Sequence, residues 1–351
     1  MANSISTIGY SHCYLCREKG EPLYSGLEDR LFSAPGLWNF KKCPNPRCGL
    51  LWLDPMPAPE DIGKAYENYF THSEPANQQN YQGVKACLKK LYLGGRDAYL
   101  AQHFYYPVRL SPWQRYAAFL SGLLPRRREL QGKAIMWLPW TAGGKLLDVG
   151  CGNGTFLARM KGLGWQVAGV EVDPKAVTQA RAQGLIVYQG RLEEHNLPDN
   201  EFDAITMSHV IEHVHDPLSL LKECHRVLKP RGHLVITTPN PAGWGHGIFQ
   251  ENWRELDPPR HLFLFPPKAM ATLVRRAGFN HFQIRTSAAM APSIFLASRE
   301  ISRQGRYDRD GLPFWAEKIK AWGFGFWEQF WKMKRDPDAG EELVVMARKG
   351  L

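Results

Sequence analysis

A glycine-rich loop between a short apolar strand and a helix is the feature that most constrains this fold. The segment LLDVGCGNGTF (146–156) places Gly150, Gly152 and Gly154 in the pattern GxGxG. Glycine lets a backbone turn tightly and approach a ligand, and a loop that opens a helix presents its N–H groups to that ligand. The next predicted strand ends at Glu171, where a carboxylate can accept hydrogen bonds from two ribose hydroxyls. This order of strand, loop, helix, strand and acid predicts a nucleotide-type cofactor site.

The surrounding sequence alternates between β-rich apolar runs and stretches with helical spacing. Such alternation is typical of a parallel sheet with helices on both faces, and continuous apolar runs indicate strands buried on both faces. The predicted strands are 145–150, 165–172, 185–190, 202–207, 233–239, 282–287 and 342–349, and the predicted helices are 155–164, 174–184, 216–232 and 266–279, the last ending at Gly278.

The motif DVGCGNG resembles the first motif of the class I S-adenosylmethionine-dependent methyltransferases. SHVIEHVHDP (208–217) and HRVLKPRGHLVITTPN (225–240) are similar to the ubiquinone-biosynthesis branch of that family. The resemblance covers about residues 141–285 together with the last strand. It implies an α/β fold with a Rossmann-like seven-stranded sheet whose last strand is antiparallel.

The resemblance also implies roles for individual residues toward S-adenosylmethionine. Asp148, at the end of the first strand, would hold the methionine end of the cofactor, and Glu171 would hold the ribose. Many relatives carry an acid where this chain has Arg191, and Leu192 and Glu193 are our candidates for the adenine contact. The expected cofactor-binding set is Asp148, Gly150, Cys151, Gly152, Gly154, Glu171, Val172, Leu192, Glu193 and Ser208.

Three histidines are the candidate catalytic residues. A sulfonium is already a good leaving group, so catalysis is mainly alignment, with deprotonation where the acceptor is a hydroxyl. His261 lies in the long loop after the fifth strand, and imidazole is the usual base near neutral pH. His209 and His213 follow the fourth strand, and on a helix they would share one face. That segment is open between a helix lining the cofactor pocket and a metal site that includes Glu212.

The loop that contains His261 also carries three candidate substrate residues. It runs over residues 237–267 and, by the resemblance, starts beside the reactive methyl group. Trp244 and Trp253 are expected to contact the acceptor, and Arg260 is expected to hold an anionic group on it. The alternative is that the PPRHL segment caps the next helix and only shapes the lid.

Four cysteines near the start of the chain predict a structural zinc site. Cys13 and Cys16 form a CxxC knuckle, and Cys43 and Cys48 form a second, looser one. Four thiolates presented by two turns suit tetrahedral zinc and leave no open position for catalysis. A zinc ribbon this short buries too little apolar surface to fold alone, so the metal would supply folding energy.

The positive charge of the chain lies outside its central region. Of the net charge of +10, residues 141–240 contribute almost nothing, whereas residues 88–140 carry nine basic and two acidic side chains. A segment at 312–335 combines four tryptophans with five lysines and arginines. This segment is open between packing on the protein, contact with a membrane surface or a lipid-linked substrate, and binding of nucleic acid.

We therefore expect three regions: a zinc ribbon at 1–60, a helical connecting region at 61–140, and a methyltransferase domain at 141–351 with an insertion at about 288–340. The expected activity is methyl transfer to a small-molecule or a sugar- or lipid-linked intermediate. The alternatives are an RNA methyltransferase and a non-catalytic cofactor-binding scaffold. Few cysteines, no apolar run of about 18 residues and no visible signal segment predict a cytoplasmic protein.

Overall fold

A computed structural model describes residues 4–67, 96–108, 111, 116, 125–308 and 315–351. Most of the predicted helical region 61–140 lies outside these residues. Within them, residues 96–104 and Pro125–Lys133 are helical, and Ile62–Tyr66 forms a 3-10 helix. The strands are, in chain order, β1 Thr7–Ile8, β2 Glu21–Leu27, β3 Trp38–Lys42, β4 Leu51–Leu53, β5 Met56–Pro57, β6 Lys145–Val149, β7 Gln166–Glu171, β8 Ile186–Gln189, β9 Phe202–Ser208, β10 Leu228–Pro239, β11 Phe263–Leu264, β12 His281–Ser287 and β13 Glu342–Arg348.

Seven strands form one mostly parallel sheet in the order β8, β7, β6, β9, β10, β13, β12. β6 pairs in parallel with β7 and β7 with β8, whereas β12 and β13 are antiparallel. The predicted Rossmann-like sheet is confirmed, and β10 begins at Leu228 rather than at residue 233. The helices that accompany the sheet are Thr155–Gly162, Pro174–Ala182, Pro217–Val227 and Pro267–Arg276.

The chain divides into two compact units, and the division runs through β9 and β10. The ribbon unit comprises Met1–Phe70, Met207–Arg226 and Ile236–Leu351. The loop unit comprises Thr71–Thr206 and Val227–Val235. The domain boundaries expected from the sequence remain predictions.

In the loop unit, helix Pro174–Ala182 begins where local chemistry favours it. The Asp173 side chain accepts a hydrogen bond of 2.9 Å from the backbone N–H of Lys175, and Pro174 occupies the first helical position. The helix then packs apolar side chains toward the glycine loop. The buried cluster consists of Cys151, Leu157, Val177, Ala180, Leu185 and Val187.

In the ribbon unit, the cysteine-bearing segment forms a four-stranded sheet in the order β11, β4, β3, β2. Its fourth strand comes from the distant loop: Phe263 pairs with Trp52, and both side chains are buried. The sequence indicated the cysteine turns but gave no sign of this fourth strand, because two residues leave no periodicity to detect.

The insertion after β12 is largely helical in the residues that the structure describes. It contains helices Ala291–Gln304 and Trp315–Trp327, followed by a π-helix at Glu328–Lys332. Phe324 is buried against Trp244, with ring centroids 4.6 Å apart and nearly parallel planes, and against Phe295. One face of the aromatic-rich helix therefore packs on the protein.

A buried arginine joins three parts of the ribbon unit. Arg260 is fully buried, and its Nη1 and Nη2 atoms donate to the Asp29 carboxylate at 2.8 and 2.7 Å. Its Nε donates to Asp257 at 3.1 Å, and Nη1 also donates to the Ala65 carbonyl. The guanidinium lies over the ring of Phe32, 4.6 Å from its centroid. Two buried carboxylates thus pair with the same guanidinium.

We predict that Arg260→Ala lowers the free energy of unfolding by about 3–5 kcal/mol, because it removes the guanidinium that pairs with the buried carboxylates of Asp29 and Asp257. Urea denaturation followed by circular dichroism measures the loss. Arg303→Ala, which removes an exposed arginine from helix Ala291–Gln304, is the matched control and should change stability by less than about 0.5 kcal/mol. Equal stability of the two variants would contradict the prediction.

Candidate functional site

The Glu171 carboxylate is fixed at the end of β7 by two backbone donors. Gly152 N–H donates to its Oε2 atom at 2.8 Å, and Asp173 N–H donates to its Oε1 atom at 2.9 Å. The side chain is buried, so its position varies little. A carboxylate that already accepts one hydrogen bond on each oxygen retains lone pairs for further donors, as ribose hydroxyls would require.

Two glycines of the loop have different tasks. A Cβ on Gly154 would meet Leu185 at 2.5 Å, so this residue allows close packing of the helix. A Cβ on Gly152 would meet nothing within 4 Å, and the residue has a φ of +54°. Gly152 therefore borders open space next to Glu171, which fits a cofactor that occupies the room a side chain would fill.

Asp148 lies at the end of β6 as predicted. Its buried carboxylate accepts a hydrogen bond of 2.6 Å from the Thr206 hydroxyl. Burial raises its pKa to about 7 against the opposing effect of the Thr206 hydrogen bond. No ion pair to Asp148 occurs among the described residues, and a buried acid favours a cationic ligand group, such as the amine of an amino-acid moiety.

The other predicted cofactor residues occupy varied surroundings. Val172 is exposed beside Glu171, Cys151 is buried in the core cluster, and Gly150 donates its N–H to the Val170 carbonyl at 2.8 Å. In the 3-10 helix Leu192–Glu194, Leu192 is buried and Glu193 is exposed. Ser208 belongs to the ribbon unit, where its hydroxyl accepts a hydrogen bond of 3.1 Å from Thr237.

His209 is held between two carboxylates of the ribbon unit. Its Nδ1 atom lies 3.3 Å from Glu212 Oε1, and its Nε2 atom lies 2.9 Å from Glu342 Oε1. Desolvation would lower its pKa, but the two carboxylates outweigh this effect and raise the pKa to about 10. His209 is therefore an imidazolium at neutral pH. It has a φ of 54°, a left-handed conformation that is uncommon outside glycine.

His213 and His261 form a neighbouring pair whose rings meet edge to face, with centroids 4.7 Å apart. His213 Nδ1 donates to the Arg260 carbonyl at 2.9 Å and lies 3.0 Å from the Tyr66 hydroxyl. His261 Nδ1 donates to the Glu255 carbonyl at 2.7 Å. Because a carbonyl can only accept, Nδ1 carries a proton in both rings.

The His213 ring of this pair is neutral, and both histidines lie close to Glu212. Burial and the adjacent His261 lower the pKa of His213 to about 4. One atom each of Glu212, His213 and His261 lie within 4.8 Å of one another, a set of donors of the kind that a divalent metal ion takes. The segment does not form the α-helix on which His209 and His213 would share one face. It is a 3-10 helix, Ile211–His213, so His209 and His213 do not share one helical face.

Comparison with known proteins agrees with the glycine loop and the sheet. A family model described as a methyltransferase domain matches residues 113–284. The chain carries a class I S-adenosylmethionine-dependent methyltransferase domain. Its curated relatives include two proteins named ubiquinone biosynthesis O-methyltransferase. The one from Xanthomonas oryzae pv. oryzae is 38% identical over 116 residues (30% of this chain and 48% of the relative), and the one from Thiobacillus denitrificans is 37% identical over 109 residues (28% and 46%).

These matches span part of each protein. The chain spans about half the length of the curated relatives it matches. Among solved structures, a S-adenosylmethionine-dependent methyltransferase from Archaeoglobus fulgidus is similar at 20% identity with a TM-score of 0.43, over 67% of this chain and 99% of that one.

The residues predicted to contact substrate are less accessible than expected. Trp253 is buried, and its indole Nε1 donates to Glu341 at 3.0 Å. Trp244 is partly buried and stacks on Phe324. The guanidinium of Arg260 is occupied by Asp29 and Asp257, which favours a structural role over the predicted contact with a substrate anion.

The four predicted zinc ligands do come together. The sulfur atoms of Cys13, Cys16, Cys43 and Cys48 lie within 4.8 Å of one another, with Cys13–Cys48 at 3.7 Å and Cys16–Cys43 at 3.2 Å. Tetrahedral zinc with Zn–S bonds of about 2.3 Å requires S–S separations of about 3.8 Å. The spacing thus fits the expected ion.

Sequence reasoning missed several residues that position the histidines. Glu342 contacts His209 across 133 positions of the chain, and Tyr66 contacts His213 across 147. Thr238 donates to Glu212 Oε2 at 3.0 Å. Tertiary packing of segments that are distant in the chain brings these residues together, and no local sequence pattern marks them.

We predict that Glu171→Ala weakens S-adenosylmethionine binding by about 1.5–3 kcal/mol, the typical loss of hydrogen bonds to a charged group. Isothermal titration calorimetry measures the affinity. Glu60→Ala, which removes an exposed acid from the ribbon unit, serves as the control and should bind like the unmodified chain. Unchanged affinity of Glu171→Ala would argue against the cofactor site.

Proposed function

We propose that this protein transfers the methyl group of S-adenosylmethionine to a hydroxyl of a small-molecule biosynthetic intermediate. The observation that carries the proposal is the fixed Glu171 carboxylate beside the open space at Gly152. The relatives named as O-methyltransferases support a hydroxyl as the accepting group. The cofactor supplies an electrophilic methyl group on sulfur, and Asp148 and Glu171 hold its two ends.

The acceptor's proton requires a base, and the protonation state of His213 suits this role. Its ring is half-buried and neutral, its Nδ1 proton is fixed on the Arg260 carbonyl, and its Nε2 is the available acceptor. His261 is more deeply buried and orients His213 from the side. His209 is already charged and serves to hold Glu212 and Glu342 in place.

The decisive experiment incubates the purified chain with S-adenosylmethionine and metabolite extracts, and mass spectrometry follows compounds that gain about fourteen mass units. We expect His213→Ala to lower turnover by about 100- to 10,000-fold with unchanged cofactor affinity, since a general base contributes a factor of this size. Gly152→Val is expected to bind no cofactor and transfer no methyl group.

Two controls separate the possible outcomes. His281→Ala removes an exposed histidine from β12 and should leave turnover unchanged. If cofactor affinity falls together with turnover in His213→Ala, the residue shapes the pocket and the base assignment fails. Methylation of RNA in the absence of any small-molecule product would overturn the substrate class, and cofactor binding without transfer to any acceptor would support a scaffold.

We also propose that Cys13, Cys16, Cys43 and Cys48 hold one structural zinc ion. The fit of the four sulfur positions supports this assignment. Four thiolates fill the coordination sphere, so the ion would stabilise the two turns and take no part in methyl transfer. Backbone hydrogen bonds hold the second turn in shape, as Cys43 N–H donates to the Leu50 carbonyl and Cys48 N–H donates to the Asn45 carbonyl.

Plasma mass spectrometry of the purified protein should find near one zinc per chain. Cys16→Ser is expected to lose the zinc and to lower solubility, whereas Cys224→Ala, at a buried cysteine outside the cluster, should retain it. A second metal equivalent that disappears in His261→Ala would assign an ion to the histidine cluster. Well-folded, metal-free protein with four intact cysteines would refute the zinc proposal.

A further inference from the structure

Helix Trp315–Trp327 exposes a line of large apolar side chains to solvent. Trp315, Ile319, Trp322 and Phe326 are 66%, 61%, 63% and 55% exposed. Their spacing of four, three and four residues places them on one face of an α-helix. A soluble surface carries single exposed apolar residues without consequence, but a continuous apolar stripe marks a contact surface. We call this set the aromatic stripe.

The opposite face of the same helix fixes the direction of the stripe. Ala321 and Phe324 are buried, and Phe324 packs against Trp244 and Phe295. Gly325 lies so close to helix Ala291–Gln304 that a Cβ there would be 2.8 Å from the ring of Pro292. The helix cannot rotate to bury the stripe without breaking this packing.

An ion pair on the flank of the helix holds the same orientation. Glu317 Oε2 lies 2.8 Å from Arg299 Nε, which joins the first turn to helix Ala291–Gln304. Exposure of the stripe is therefore built into the fold of the ribbon unit.

Two further tryptophans extend the apolar surface beyond the helix. Trp327 and Trp331 stack with ring centroids 5.4 Å apart, and each remains at least half exposed. Trp327 directly precedes the π-helix Glu328–Lys332 and Trp331 lies within it, whereas the side chain of Glu328 is fully buried. Tryptophan is the residue typical of a membrane interface, because its ring is apolar and its N–H is polar.

The charges around the stripe are basic. Residues 315–335 contain five lysines and arginines and two acids, and of the acids Glu317 pairs with Arg299 while Glu328 is buried. Lys318 and Lys320 are exposed, and Lys320 Nζ lies 3.3 Å from Glu317 Oε1. The segment thus combines an exposed apolar stripe with an excess of positive charge, which is complementary to an anionic lipid surface.

We propose that the aromatic stripe docks on the surface of an anionic lipid bilayer, with its rings at the boundary of headgroups and acyl chains and its lysines near the phosphates. No helix among the described residues is long and apolar enough to cross a bilayer, so the helix would lie in the interface. The stripe also lies outside the matched methyltransferase segment, residues 113–284, so this inference stands independently of the proposed activity.

The arrangement favours lipid over nucleic acid. Stacking of bases requires aromatic rings alternating with cations along a groove that follows the phosphates. Here Ile319 and Phe326 continue the line between and beyond the tryptophans, so aromatic rings do not alternate with cations along it. An aliphatic side chain in the centre of the line suits acyl chains and offers a base nothing to stack upon.

Flotation of the full-length protein with vesicles tests the proposal. We expect binding to vesicles of phosphatidylcholine with phosphatidylglycerol, weaker binding to pure phosphatidylcholine, and a fall in binding as salt increases. Trp322→Ser together with Phe326→Ser should lower the partition coefficient by about tenfold or more. The double charge reversal Lys318→Glu with Lys320→Glu should abolish the preference for the anionic vesicles.

A matched control and two rival outcomes keep the test decisive. Leu37→Ser removes an equally exposed apolar side chain from the ribbon and should bind vesicles like the unmodified protein. Circular dichroism and cofactor affinity verify that all variants are folded. Equal vesicle binding by the stripe variant and the Leu37 variant overturns the proposal. So does a dimer, seen by light scattering, that the stripe variant abolishes, or RNA binding in the absence of vesicle binding.

Discussion

The histidine-bearing part of this protein depends on the buried cation of Arg260. Its guanidinium pairs with the carboxylates of Asp29 from the ribbon and Asp257 from the long loop, and so holds these two segments together. The carbonyl of Arg260 then accepts a hydrogen bond from His213 Nδ1–H. Leu262, two residues further on, donates its N–H to the Glu212 carbonyl. A buried ion pair therefore sets the tautomer and the direction of the His213 ring, the base of the proposed reaction.

The cofactor-binding part of the molecule was predictable because local sequence encodes it. The loop from Gly150 to Gly154, the strand that ends at Glu171 and the helix cap at Asp173 are each encoded within a few residues. The sheet and its antiparallel last strand followed from the same alternation and from the family resemblance. Those elements depend on nearest-neighbour sterics and hydrogen bonds, which a short window of sequence contains.

The histidine cluster was predictable only in part. The sequence identified His209, His213 and His261 but not their different charges, because Glu342 and Tyr66 come from remote segments. The sequence suggested a substrate contact for Arg260. It could not show that this guanidinium is engaged by Asp29, because Asp29 lies 231 positions away. Tertiary partners, not residue type, decided whether a histidine is charged and whether an arginine is available.

The strand β11 has a consequence for how the molecule is made. β4 ends at Leu53, yet its partner strand begins at Phe263, so the edge of the ribbon sheet stays open while some two hundred residues are synthesised. At about 5–20 residues per second, translation leaves that edge unpaired for roughly 10–40 s. An exposed edge of this kind invites pairing with other nascent chains. Slow synthesis or crowding of ribosomes should therefore reduce the yield of native protein through the ribbon first.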